Sequence, residues 1–164
     1  MTLMLPESST RLFGFRSAWM TPHSCMCATA AAIRSKKIGA LELLELYLRR
    51  IEKYNPRLNA IIATDLDGAK KRARAADAAL KRGKPWGPLH GVPMTIKESY
   101  DVAGLPTTWG DPQHKDNVAK RDSLAVERLK AAGVVLFGKT NVPYMLQDWQ
   151  TFNAIHGTTN NPWD

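Results

Sequence analysis

The sequence of 164 residues is short of cysteine and of long apolar runs. Each shortage excludes something. Its two cysteines, Cys25 and Cys27, lie too close together to close a useful loop, so a disulfide scaffold is excluded and a reducing, cytoplasmic location is expected. No apolar run approaches the ~18 residues that a membrane-spanning helix requires. The 11 Gly and 10 Pro follow no repeat, which excludes collagen and low-complexity architectures. What remains is a globular composition, 44% hydrophobic and 23% charged, of a length that suits one domain.

The formal charge of +8 is unevenly placed. Residues 1–90 hold 16 Lys/Arg against 7 Asp/Glu, whereas residues 91–164 hold 7 against 8. Much of the excess falls in one helical stretch, with Lys70, Lys71, Arg72, Arg74, Lys81 and Arg82. A solvated helix face accounts for that run, and no nucleic-acid partner is expected. Residues 1–27 read as an irregular N-terminal segment, with 28–164 as the ordered part. His23, Cys25 and Cys27 mimic a metal cluster, but a zinc site needs about four ligands and no second pair follows.

Residues 28–35 read as a short helix broken near Gly39. Leu41, Leu44, Leu48 and Ile51 then recur at helical spacing, and Asn55-Pro56 is expected to end that helix. A further helix starts at an Asp65 cap, carries the stripe Leu66, Ala69, Ala73, Ala76 and Leu80, and stops at Gly83. Its small alanines imply close helix packing. Val92, Met94 and Ile96 alternate as a strand, with Thr95 and Lys97 on its other face. A Gly/Pro/Asp-rich loop follows, then a helix expected from an Asp122 cap to Ala132. The run VVLF reads as a strand buried on both faces, which makes a βαβ unit with a parallel pair. Thr140 or Asn141 is expected to cap one more short helix, with Pro143 in its first turn.

Residues 133–140, GVVLFGKT, satisfy the letters of a phosphate-binding loop. The mechanism needs a strand before the first glycine and a loop after it. Here Gly133 follows a helix and the middle residues are the strand, so nucleotide binding is rejected. Lys97 is the sharper candidate, because it ends a strand and precedes a loop, where a side chain is aimed into a cleft. A desolvated lysine gives up its proton more readily and acts as a base near neutral pH. Lys139, after a buried strand, is expected to orient the loop that follows, and its loss to spare the chemistry.

GPLHGVPMTIKESYDVAGLPTTWG (87–110) closely resembles the catalytic-lysine segment of the amidase signature family. RDSLAVERLKAAGVVLFGKTNVPYM (121–145), with its GKTN landmark, resembles that family as well, and AIHGTTNNPWD (154–164) is similar to the stretch leading to its Gly/Ser-rich loop. The helical opening, residues 30–61, fits too. The resemblance implies an α/β fold in which N-terminal helices pack on the first strands of a mixed, partly parallel sheet, incomplete within these residues. It implies hydrolysis of a small carboxylic amide to acid and amine, without metal or organic cofactor and without a membrane. Lys97 would be the base that deprotonates a serine preceded by a cis peptide bond, which activates a second, nucleophilic serine. Both serines, and the oxyanion-hole amides, correspond to positions beyond Asp164. None of Ser8, Ser9, Ser17, Ser24, Ser35, Ser99 and Ser123 stands in that context, and Ser99 reads as a loop hydroxyl. The chain is therefore expected to be an amidase fragment, inactive alone and open to a complementing C-terminal chain. A basic helical binding module without catalysis is the alternative. Residues 141–157 resemble the general acylamidase branch more than the tRNA-dependent amidotransferase subunit.

Overall fold

The computed structural model describes residues 22–163, with side chains from residue 26 onward. Residues 1–21 of the expected irregular segment, and the side chains of His23 and Cys25, lie outside the described residues. Helix α1 (Pro22–Arg34) begins before the sequence reading placed it and crosses the 27/28 boundary. Helix α2 (Ala40–Leu58), strand β1 (Ile61–Thr64) and helix α3 (Leu66–Lys81) follow. Next come β2 (Pro93–Lys97), α4 (Leu124–Ala131) and β3 (Val135–Thr140). A hairpin of two short strands, β4 (Phe152–Asn153) and β5 (Gly157–Thr158), closes the described chain.

The sheet runs β1-β3-β2, with β3 parallel to β2 and antiparallel to β1, so the arrangement is mixed and partly parallel as expected. Ile33, Leu43, Leu44 and the alanines of α3 pack on one face against Val92, Val135 and Phe137. Ala69, Ala73, Ala76 and Ala79 are buried, and their small size lets α3 approach α2 and the sheet. Asp77, on the same helix, accepts the Ala40 and Leu41 amides at 2.7 and 3.1 Å, and so caps α2 from outside its own chain segment. The other face carries a smaller core of Ile96, Val102, Leu105 and Val126, covered by α4 and the long loop after β2.

Four local expectations need correction. Helix α2 does not stop at Asn55-Pro56 but runs to Leu58 before Asn59 turns left-handed at φ 52°. Pro56 is exposed near the end of the helix, so the carbonyl it leaves unpaired stays open to water. Asn55 closes the turn instead, accepting the Ala60 and Ile61 amides at 2.9 Å and donating to the Ile61 carbonyl at 2.8 Å. That clasp creates β1, a strand the sequence reading missed. Asp122 does not cap α4; Ser123 stands at that position, while Asp122 accepts from the Ala103 amide and pairs with Lys130 at 2.6 Å. The segment after β3 forms a 3-10 turn over Tyr144–Leu146, because Met145 and Leu146 take positive φ and no longer helix propagates. Arg72 is no solvated cation: it donates to the Val134 and Lys130 carbonyls and stacks on Trp86 at 4.8 Å.

Val135–Thr140 are strand residues, which leaves no loop there to wrap a phosphate. Gly138 is required by its neighbour, since a Cβ would stand 2.7 Å from the Ala63 carbonyl oxygen of β1. Among the described residues no helix is long and apolar enough to cross a membrane.

Two measurements check this fold. Asn55→Ala strands the Ala60 and Ile61 amides, and the expected loss is about 1–3 kcal/mol in urea denaturation. An unchanged midpoint would show that the turn holds without the clasp. His90 is fully buried, accepts the Trp86 amide at Nδ1 (3.0 Å) and lies 3.1 Å through Nε2 from the Ala76 carbonyl. Those partners fit the neutral ring, and burial lowers its pKa below 6.5. The unfolded chain therefore binds the extra proton first, and stability falls as pH drops below ~6.5 toward the folded value. The stability–pH slope between pH 7 and 5 should be shallower in His90→Gln than in wild type; equal slopes would refute this source.

Candidate active site

Pairing of β2 with β3 sets Ile96 beside Lys139 and Lys97 beside Thr140, at the C-terminal ends of two parallel strands. The register slips between Met94 and Thr95, because Leu136 pairs with Met94 but Gly138, not Phe137, pairs with Thr95. This bulge breaks the alternation of β3 and re-aims the residues beyond it. Phe137 joins the helix-side core, while Lys139 is turned toward the loop that covers Ile96.

Lys97 is exposed at the strand end. The desolvation expected of a catalytic lysine is not provided there by the described residues. The buried lysine is Lys139, which has no accessible surface. Its Nζ donates to the Pro106 carbonyl and, at 2.9 Å, to the Thr107 hydroxyl. Burial pushes the Lys139 ammonium down to about 8, against the pull of the Glu98 and Asp101 carboxylates. Its expected role is thus half right: it orients a loop, but the one after β2 rather than its own.

Glu98 follows Lys97 directly and is fully buried. Its backbone amide donates to the Thr140 carbonyl at 2.9 Å, continuing the ladder one step past the strand. Its carboxylate accepts the backbone amides of Thr108 and Trp109, the latter at 3.0 Å. Trp109 is left-handed at φ 56°, and its carbonyl accepts the Met145 amide at 2.8 Å. The loops after β2 and β3 are joined at that bond.

Asn141, the last residue of the GKTN landmark, is a second clasp. It accepts the Val142 amide and the Asn153 side chain at 2.9 Å, and donates to the Gly157 carbonyl and the Thr159 hydroxyl at 3.1 Å. It thereby fixes the β4–β5 hairpin beside the strand ends. His156, in that hairpin, has its pKa lowered by burial, opposed by Glu98 and assisted by Lys139, which places it in the field of both. Its Nε2 is buried with no hydrogen-bond partner among the described residues.

Sequence reasoning singled out Lys97 but missed Glu98 and Asn141 as organisers. The available signal was a polar GKTN continuation of a strand already read as buried on both faces. Ser99 lies in the turn after Glu98. Among the described residues no group of three or more His, Cys, Asp or Glu side chains is placed to hold a metal ion.

The family model described as Amidase matches residues 42–164, a span that holds both clasps and Lys97. An indoleacetamide hydrolase from Bradyrhizobium diazoefficiens is 46% identical over 136 residues, covering 83% of this chain and 26% of that protein. A glutamyl-tRNA(Gln) amidotransferase subunit from Streptomyces coelicolor is 38% identical over 135 residues, covering 82% and 27%. The solved structure of a peptide amidase from Stenotrophomonas maltophilia superposes with a TM-score of 0.76 at 29% identity, over 85% of this chain and 30% of that one. The chain thus spans between a quarter and a third of the proteins it matches. A family model over most of the chain and relatives well above 30% identity agree on one assignment: this chain belongs to the amidase signature family.

Proposed function

We propose that the chain carries the lysine-bearing part of a site that hydrolyses small carboxylic amides, with Lys97 as the base. The observation that carries this reading is the position of Lys97, exposed at the C-terminal end of a parallel strand inside the family-matched span. Ligand crevices of open α/β sheets form outside those strand ends. Strand β2 is also an edge of the described sheet, open to further pairing on the side away from β3.

In the proposed mechanism the neutral Lys97 amine takes a proton from a serine supplied by residues outside these 164. That serine takes the proton of a second serine, whose oxygen attacks the amide carbonyl carbon. The C–N bond breaks, the amine leaves with a proton returned through the relay, and water then hydrolyses the acyl-enzyme. The added segment also supplies the desolvation that the described residues leave out at Lys97. The higher identity to a protein named as an amide hydrolase than to one named as part of an amidotransferase favours water as the acyl acceptor.

The 164-residue chain alone is expected to hydrolyse no amide above background. Loss of an essential member of a serine hydrolase relay costs on the order of 10⁶ in turnover. Activity in purified chain that disappears in Lys97→Ala would overturn the need for an outside serine. Joining residues 1–164 to the remaining part of the Bradyrhizobium indoleacetamide hydrolase is expected to yield an active amidase. In that chimera Lys97→Ala lowers kcat by ~10⁴ or more, and Lys97→Arg, which does not deprotonate, is equally inactive. A folded but inert chimera, or an active Lys97→Arg form, sinks the reading.

A further inference from the structure

Two fully buried charges at the strand ends play no chemical part in that mechanism. Glu98 directly follows β2, two residues past Ile96, and Lys139 on β3 pairs with Ile96, so both reach the same short segment of loop. Lys139 holds the Pro106 carbonyl and the Thr107 hydroxyl, and Glu98 holds the amides of Thr108 and Trp109. Donor meets acceptor at four consecutive residues. Burying a carboxylate and an ammonium is costly unless each keeps its partners, so a fold that needed only a quiet loop would use uncharged side chains.

The geometry links this loop to Lys97. Glu98 is the next residue in the chain, and its backbone is fixed to Thr140 while its side chain is fixed to the loop. A shift of the carboxylate therefore tilts the last peptide of β2, from which the Lys97 stem leaves. The bulge at Phe137 exists in the same place and turns Lys139 onto this face. Left-handed Trp109, whose carbonyl takes the Met145 amide, is held in its strained conformation by the Glu98 bond.

We propose that Glu98 and Lys139 are positioning residues for Lys97, which clamp Pro106–Trp109 across the ends of β2 and β3 and so fix the direction in which the Lys97 side chain leaves the sheet. This rests on the reading of Lys97 as the base. It replaces the expectation that loss of Lys139 spares the chemistry.

The test has two arms. In the full chain, amide hydrogen exchange followed by NMR reads the clamp directly. Glu98→Gln is expected to speed exchange at Thr108 and Trp109 by about tenfold or more, with the amides of α2 and α3 unchanged. In the chimera, the double variant Glu98→Gln/Lys139→Met leaves no unpaired buried charge, and a cooperative thermal melt checks its fold before the kinetics are read. Its kcat is expected to fall about tenfold or more with KM within about threefold, since the substrate pocket is intact and the base is misdirected. Lys139→Arg, which keeps the donors, should retain more of the wild-type kcat than Lys139→Met. Unchanged exchange at Thr108 and Trp109 in Glu98→Gln overturns the clamp. Wild-type kcat in the double variant overturns the positioning role. An inert wild-type chimera rejects the hydrolase reading instead, and the exchange arm still decides the clamp.

Discussion

The parallel ladder between β2 and β3 decides where the charged groups of the site stand, because Lys97 and Lys139 are residues of those strands and Glu98 and Asn141 directly follow them. Its single slip, at Phe137, is the constraint on which the site depends. Strict alternation would send Lys139 to the face shared by Val135 and Phe137, an apolar layer of leucine, isoleucine and alanine. An ammonium there would have no acceptor and the layer would not form. With one extra residue in β3, the same lysine reaches a carbonyl and a hydroxyl in the loop after β2. Gly138 accommodates the slip, being the point where β1 approaches too closely for any Cβ.

Much of this architecture was legible in the sequence, and the exceptions share a physical cause. The helices α2 and α3, the two parallel strands and the small-residue stripe follow from periodicity, which reports local backbone geometry and burial. Strand β1 was missed because four residues give too short a pattern, and because its existence depends on the Asn55 clasp rather than on its own composition. Proline at position 56 misled for a related reason: its penalty is small where the lost hydrogen bond lies at an exposed helix end. Asp122 looked like a cap because acids before helices usually are, yet Ala103 and Lys130, distant in sequence, compete for it.

The site divides along the same line. Lys97, the proposed base, stands out in the sequence because its segment's letters resemble a known family and because strand ends aim side chains outward. Its neighbour Glu98 was not readable, since nothing local distinguishes a solvated glutamate from one enclosed by two loop amides. Lys139 was placed correctly in kind and wrongly in direction, and only the bulge explains why. Buried charge is a property of tertiary contact, and a single sequence carries little trace of it.

The hairpin of β4 and β5 has a consequence for the order in which the chain acquires its structure. Asn59, at the end of α2, donates to the carbonyls of His156 and Thr158, and its own carbonyl accepts from Thr159. Asn160 bonds back to Arg57 and Leu58. These contacts join residues about a hundred positions apart, the slowest kind to close in a search limited by chain entropy. During synthesis the α2–β1 corner therefore waits, half satisfied, until nearly the whole of this stretch has left the ribosome. Helices α2 and α3 can pair early through Asp77, but the Asn141 clasp sets late, when the hairpin arrives to complete it.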